Sequence, residues 1–216
     1  MPADTRYVHA LRFSFLNALY EPVVALTSRE RRFKAALVDG MALAPGQRLL
    51  DVGCGTGTLV CLLGERESCA ELHGLDGDAG ILARARRKAN ERGVAATFTQ
   101  GLSMALPYPD GHVDHVVSSL FFHHLGNEDK RRTLAEIRRV LRPGGGLHIA
   151  DWGAAQDPLM RAAFLAIQLF DGFATTTDNV RGRLPAMLWD AGFKDIRVDA
   201  RMRTMFGSME TLRARR

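Results

Sequence analysis

Residues 49 to 57 read Leu-Leu-Asp-Val-Gly-Cys-Gly-Thr-Gly, an apolar run that ends in three alternating glycines, and His73-Gly-Leu-Asp76 closes a second such run. Glycine has no Cβ, so the chain can turn tightly there and a ligand can approach main-chain N–H groups. An acid at the end of the next strand, Asp76, can take both hydroxyls of a ribose. Together these are the parts of an adenosyl cofactor site. Gly53, Gly55 and Gly57 give G-x-G-x-G, whereas a pyrophosphate-binding dinucleotide loop requires G-x-G-x-x-G, and residue 58 is Thr. A nucleotide-linked oxidoreductase is therefore disfavoured. Three further groups have proton chemistry: His123 and His124 follow the apolar run from Val113 to Ser118, and Asp151 follows Leu147 to Ala150. An imidazole near neutral pH can accept a proton from a phenol or similar group, which makes them the candidate general bases. His124 is favoured among them and is also a candidate for contact with the cofactor pocket. Cys54, inside the glycine turn, is a small packing residue rather than a nucleophile. No clustered ligand spacing points to a metal, and none is expected.

The elements that must hold these groups alternate along the chain. Strand patterns at 48–52, 72–76, 96–99, 113–118 and 147–150 are separated by helical patterns at 57–65, 78–92 and 127–141. Asp78 is placed as a helix N-cap, Gly93 as a stop, and Arg142-Pro-Gly-Gly-Gly146 as a turn. Strands alternating with helices of this length form a parallel sheet joined by right-handed crossovers, and ligands bind at the carboxyl ends of such strands. That rule gathers the glycine loop, Asp76, residues 100–104, Ser118 to His124 and Asp151-Trp152 around one crevice. Helical periodicity before the sheet, at 6–44, and after it, at 155–191, supplies two regions outside the core. In the second, Leu159, Phe164, Ile167, Phe170 and Phe173 place apolar surface near one face, either packed on the sheet or forming a lid over an apolar acceptor.

The 216 residues suffice for one core, and a single domain is expected: N-terminal helices to 44, a cofactor-binding core at 45–153, a helical cap at 154–191 and final strands at 192–216. The formal charge of +5 is a modest excess; Arg84, Arg86, Arg87 and Lys88 read as a solvated helix face, so no nucleic acid is expected. Cys54, Cys61 and Cys69 form no C-x-x-C pair, which favours neither disulfides nor zinc and fits a reducing cytoplasm. No signal peptide is expected, and no apolar run approaches the roughly 18 residues of a membrane span.

In order, Leu50-Asp-Val-Gly-Cys-Gly-Thr-Gly57, Gly74-Leu-Asp76, Ala105-Leu-Pro-Tyr-Pro-Asp110, Val113-Asp-His-Val-Val-Ser-Ser119 and Leu141-Arg-Pro-Gly-Gly-Gly146 resemble the motifs of class I S-adenosylmethionine-dependent methyltransferases. The subgroup is similar to the ubiquinone and menaquinone biosynthesis enzymes. The resemblance implies an α/β, Rossmann-like three-layer sandwich whose seven-stranded, mostly parallel sheet ends in an antiparallel strand, with 197–203 and 209–214 as its last two strands. It implies that Asp51 and the loop backbone through Gly53, Cys54, Gly55 and Gly57 hold the methionine part of the cofactor, and that Asp76 and Gly77 meet the ribose. Leu102 and Ser103 would meet the adenine, and Ser119 the methionyl ammonium. Apart from the resemblance, Tyr20 and Arg29, just ahead of the core, are candidates for closing over the cofactor and pairing with its carboxylate, with an ordinary surface or packing role as the alternative. Relatives often carry Asp where this chain has Leu102, which removes a hydrogen bond worth about 0.5 to 1.5 kcal/mol.

The expected activity is methyl transfer from S-adenosylmethionine, with S-adenosylhomocysteine as product, to oxygen, carbon or nitrogen of a small organic acceptor of apolar or aromatic character. Ser118-Ser-Leu-Phe-Phe122 stands where an Asp-Pro-Pro-Tyr motif would have indicated amino methylation of adenine or glutamine. The alternative is a nonenzymatic S-adenosylmethionine sensor. A homodimer is compatible with this reading.

Overall fold

Leu49 to Val52 are all buried, as a strand covered on both faces requires, and they form β1 (Arg48–Val52) at the middle of a seven-stranded sheet. The computed structural model describes residues 30–39, 41, 43–66 and 70–216. In chain order the elements are α1 (Glu30–Asp39), β1, α2 (Thr58–Arg66), β2 (Glu71–Asp76), α3 (Ala79–Glu91), β3 (Ala96–Gln100), β4 (Val113–Ser119), a 3-10 turn (Phe122–His124), α4 (Asn127–Val140), β5 (Leu141–Trp152), α5 (Pro158–Asp171), α6 (Phe173–Val180), α7 (Leu184–Asp190), β6 (Lys194–Thr204) and β7 (Gly207–Arg215). Tyr20, Arg29 and Cys69 lie outside the described residues, as does most of the helical region expected at 6–44.

The sheet order is β3-β2-β1-β4-β5-β7-β6. The first five strands pair in parallel, and β7 runs antiparallel to both neighbours. Side chains on successive residues face opposite layers. Leu49, Val117, Ala150 and Met209 pack with α1, α2, α3 and the inner face of α5; Leu50, Val116, Ile149 and Leu212 pack with α4 and α7. The order reverses between β1 and β4, so their carboxyl ends splay around the crevice at the switch point of the fold.

Local signals explain several boundaries. Asp78 accepts hydrogen bonds from the N–H groups of Gly80 and Ile81, capping α3. Asp157 does the same for Met160 at the start of α5, with Pro158 as the first helical residue. The run from Arg142 to Gly146, expected as a turn ahead of a strand, is instead an irregular stretch inside β5. The register with β4 passes from Val113 opposite Leu141 to His115 opposite Gly146. Arg142 reaches back from this bulge to Asp114, which explains how the chain stays paired through it.

Polar side chains fasten the cap to the core. Lys130 of α4, fully buried, donates to the carbonyl of Thr175 at 2.6 Å and faces Asp178 at 3.9 Å. Asp178 also accepts from Asn127 and Arg183, and Asn179 donates to the carbonyl of Trp152. The expected apolar stripe divides: Phe164 and Ile167 are buried, while Leu159, Phe170 and Phe173 are exposed on the outer side. Within α5 the helical period puts Leu159 and Phe170 on one side and Phe164 and Ile167 on another, and Phe173 lies beyond the break at Gly172, whose φ is +92°. Among the described residues no helix is long and apolar enough to cross a membrane.

Candidate cofactor and acceptor site

The glycine loop leaves β1 at Gly53, whose N–H and that of Cys54 both donate to the carbonyl of Leu75 at the end of β2. Gly53 has φ +73°, and a Cβ there would collide with the Phe121 ring, so this position needs glycine for both backbone and space. Gly55 is also in the left-handed region, but no atom lies within 4 Å of where its Cβ would be. That side of the loop is open to a ligand. The loop is clamped from outside by Lys88, whose ammonium donates to the hydroxyls of Thr56 and Thr58 at 2.8 Å. Lys88 and Arg86 therefore do not belong to a merely solvated face: Arg86 donates to the carbonyl of Phe98.

Asp76 closes β2 with both carboxylate oxygens engaged. One accepts from the N–H of Gly55 and the other from that of Asp78, each at 3.0 Å. The carboxylate is thus aimed by the backbone and retains lone pairs for further donors. Burial raises its pKa, with the backbone donors acting against that rise. Beside it Gly77 offers its carbonyl to Gln100. Asp51, one strand inward, is 1% exposed, and its Oδ1 has no partner among the described residues. Burial drives its carboxyl up to about 7, opposed by the Lys34 charge and reinforced by Asp76. A buried carboxylate oxygen lacking a donor is an arrangement suited to a cationic amine. Cys54 is buried beside these acids; burial, then Asp51 and Asp76, push its thiol far above the ordinary range, so it has no nucleophilic character at neutral pH.

Farther along the crevice, Ser103 is buried and spends its hydroxyl on Thr133 at 2.8 Å, leaving only backbone at Leu102 and Ser103 for an adenine. Ser119 ends β4 with a buried hydroxyl that has no partner among the described residues. The next residue, Leu120, takes φ +54°, and this kink turns the chain into the 3-10 turn carrying the two histidines.

The proposed bases differ from one another once placed. Asp151 is fully satisfied: its carboxylate accepts from the N–H groups of Phe121, His123 and Trp152 and binds His123 Nδ1 at 2.7 Å. It orients His123 and holds the loop, with no lone pair directed at the crevice. Burial disfavours the charged His123 ring, yet Asp151 and its hydrogen bond, with Asp171 beyond, carry its pKa above the ordinary value. His124, with 27% of its side chain open, is the accessible member of the pair. Burial, and then the His123 ring 3.9 Å away, push it down to about 3, so it is neutral at physiological pH and weakly basic.

Sequence reasoning missed Asp171. Its carboxylate, 1% exposed, faces His123 Nε2 at 3.8 Å and His124 Nδ1 at 3.9 Å, and neither oxygen has a hydrogen-bond partner among the described residues. One signal was available: an acid at the carboxyl end of an apolar helix opposes the helix dipole.

Comparison with known proteins agrees with this geometry. The sequence profile described as a methyltransferase domain matches residues 49–145. A demethylmenaquinone methyltransferase of Thermus thermophilus is 38% identical over 143 residues, covering 66% of this chain and 62% of the relative. A ubiquinone/menaquinone biosynthesis C-methyltransferase of Shewanella sp. ANA-3 is 30% identical over 140 residues, 62% of this chain and 54% of the other. The chain thus spans less than two thirds of the length of these curated relatives. Among solved structures, a SAM-dependent methyltransferase from Aquifex aeolicus superposes with a TM-score of 0.62 at 21% identity, covering 89% of this chain and 91% of the other. The [4+2]-cyclase SpnF gives 0.66 at 22%, covering 86% and 80%. Likenesses at that identity speak for the fold alone.

Proposed function

We propose that the chain is a class I S-adenosylmethionine-dependent methyltransferase that methylates a small organic acceptor, with a carbon of a quinone-type ring as the favoured target. The observation that carries the cofactor reading is Asp76, whose two oxygens are fixed by Gly55 and Asp78 beside an open glycine loop. Its free lone pairs suit a pair of ribose hydroxyls, the unpartnered Asp51 Oδ1 suits the methionyl ammonium, and the backbone at Leu102 and Ser103 suits the adenine edge. Ser119 would add a donor beside the amino-acid end. The bound cofactor supplies a methyl group on a positive sulfur, which an acceptor displaces directly. The protein's own contribution is alignment, which can be worth several kcal/mol.

His124 is proposed as the residue that meets the acceptor, and His123, held by Asp151, as the group that positions it. Asp151 is withdrawn as a general base because its hydrogen-bonding capacity is already used. The ring-carbon target rests on the names of the two relatives above. Action as a single domain, on a small molecule, in the cytoplasm belongs to the same proposal; self-association is left to measurement. Calorimetry with S-adenosylhomocysteine and with NAD tests the donor, and tight binding of NAD alone overturns it. Turnover with methyl-labelled S-adenosylmethionine and demethylmenaquinol-like acceptors tests the acceptor. Cofactor binding without label transfer to any of a broad panel would favour the sensor. His124→Ala should lose turnover while keeping cofactor affinity.

A further inference from the structure

We propose that His123, His124 and Asp171 form a binding site for a divalent transition metal of the zinc type. One ligand atom from each lies within 4.8 Å of the other two. His123 Nε2 faces one oxygen of Asp171 at 3.8 Å, and His124 Nδ1 faces the other at 3.9 Å. In a tetrahedral zinc site with bonds near 2.0 to 2.1 Å, neighbouring ligand atoms stand about 3.3 Å apart. Contraction by about half an ångström along these two separations, and by up to about 1.5 Å along the widest of the three, would bring the set to bonding geometry.

The three groups are more than a chance cluster. Both oxygens of Asp171 are buried without a hydrogen-bond partner among the described residues, a costly arrangement that a cation would relieve. The neutral form of His123 is also set for ligation. With its Nδ1–H directed to Asp151 at 2.7 Å, the neutral ring carries its lone pair on Nε2, the nitrogen that faces Asp171, and a bound cation would take the place of the proton that the two acids favour there. A carboxylate behind a ligating imidazole is the outer support that metal-binding histidines characteristically have. Asp151 in turn is locked by three backbone N–H groups, so the support does not move. The nearby Lys130 ammonium is engaged by the Thr175 carbonyl and Asp178 and does not occupy the space between the rings and Asp171.

Two imidazoles and one carboxylate suit zinc, iron(II) or manganese(II) and leave a coordination position for water or an oxygen ligand. His123 and Asp171 are closed to solvent at 5% and 1% exposure, whereas His124 is 27% open, so the remaining position is reached past His124. The inference does not depend on the methyl-transfer reading, since metal binding is measured without cofactor or acceptor.

The test uses the full chain, freed of any affinity tag and stripped with a chelator. Zinc chloride is titrated calorimetrically, and metal retained after gel filtration is counted by mass spectrometry. One zinc per chain is expected. Asp151→Asn should weaken binding by about 10- to 100-fold as a supporting residue, and Asp171→Asn and His124→Ala should weaken it at least as much. Cobalt(II) added to the stripped wild-type protein should give the intense visible bands of a four-coordinate site, with nitrogen couplings from two imidazoles in pulsed electron paramagnetic resonance. No retained zinc, retention unaffected by Asp171→Asn and His124→Ala, or a cobalt spectrum without imidazole couplings would overturn the proposal. If Asp171→Asn fails to fold, the wild-type cobalt spectrum decides by itself.

Discussion

Replacing Asp76 by alanine removes an acid whose oxygens already latch two backbone N–H groups. On the proposed reading the same carboxylate holds both ribose hydroxyls, and hydrogen bonds to a charged group contribute about 1.5 to 3 kcal/mol. The expected loss is therefore about 10- to 150-fold in affinity for S-adenosylhomocysteine, measured by isothermal calorimetry. The freed N–H groups of Gly55 and Asp78 are only partly buried and can turn to water. Their loss should cost about 1 kcal/mol of stability, or a fall of about 2 to 4 °C in melting temperature for a chain of this size. The two readouts separate a latch from a ligand. A folded variant that melts a few degrees lower yet binds S-adenosylhomocysteine within about twofold of wild type would refute the assignment, because the carboxylate would then serve the loop alone.

Gly53→Ala should be among the more damaging changes in the loop. The φ of +73° costs roughly 1 kcal/mol for a residue with a Cβ, and displacing the Phe121 ring adds about 1 to 3 kcal/mol. Thermal unfolding should fall by about 5 to 15 °C; a shift of only about 2 to 4 °C would show that Phe121 yields freely, and a smaller one would refute the cost assigned to the backbone as well. Asp51 gives a pH prediction. Its folded pKa near 7 lies above the unfolded 3.8, so the native state keeps a proton the unfolded chain has released; the Asp51 contribution to stability falls between those values and is flat above pH 7. Ionised Asp51 attracts an ammonium, so S-adenosylhomocysteine affinity should rise about tenfold from pH 6 to pH 8 and lose that slope in Asp51→Asn. A flat wild-type profile would remove Asp51 from the amino-acid end of the site.

Much of the frame was legible because it depends on local rules. The apolar runs of β1, β2 and β4, the cap at Asp78 and the glycine loop each declare themselves within a few residues, and alternation of strand and helix fixes the parallel order. The Pro143 to Gly146 stretch was misread because its turn residues are also suited to a bulge, and only pairing with β4 and Asp114 decides between them. The histidines were found, but their relative roles were not. Whether Asp151 is a free base or a saturated anchor depends on three backbone N–H groups from residues that sequence reading treats separately. Asp171 was invisible for a related reason: it joins the histidines only when α5 folds back over the 3-10 turn.

Lys130 bears on how this molecule can move. To lift α6 away from the sheet, its ammonium would have to leave the Thr175 carbonyl and Asp178 inside a dry interior, where separating a buried charge from its partners costs several kcal/mol. Asn179, tied to the carbonyl of Trp152, resists the same displacement. The helix α6 is thus pinned to the core from both sides, and any conformational change that requires it to lift must first break these two buried contacts.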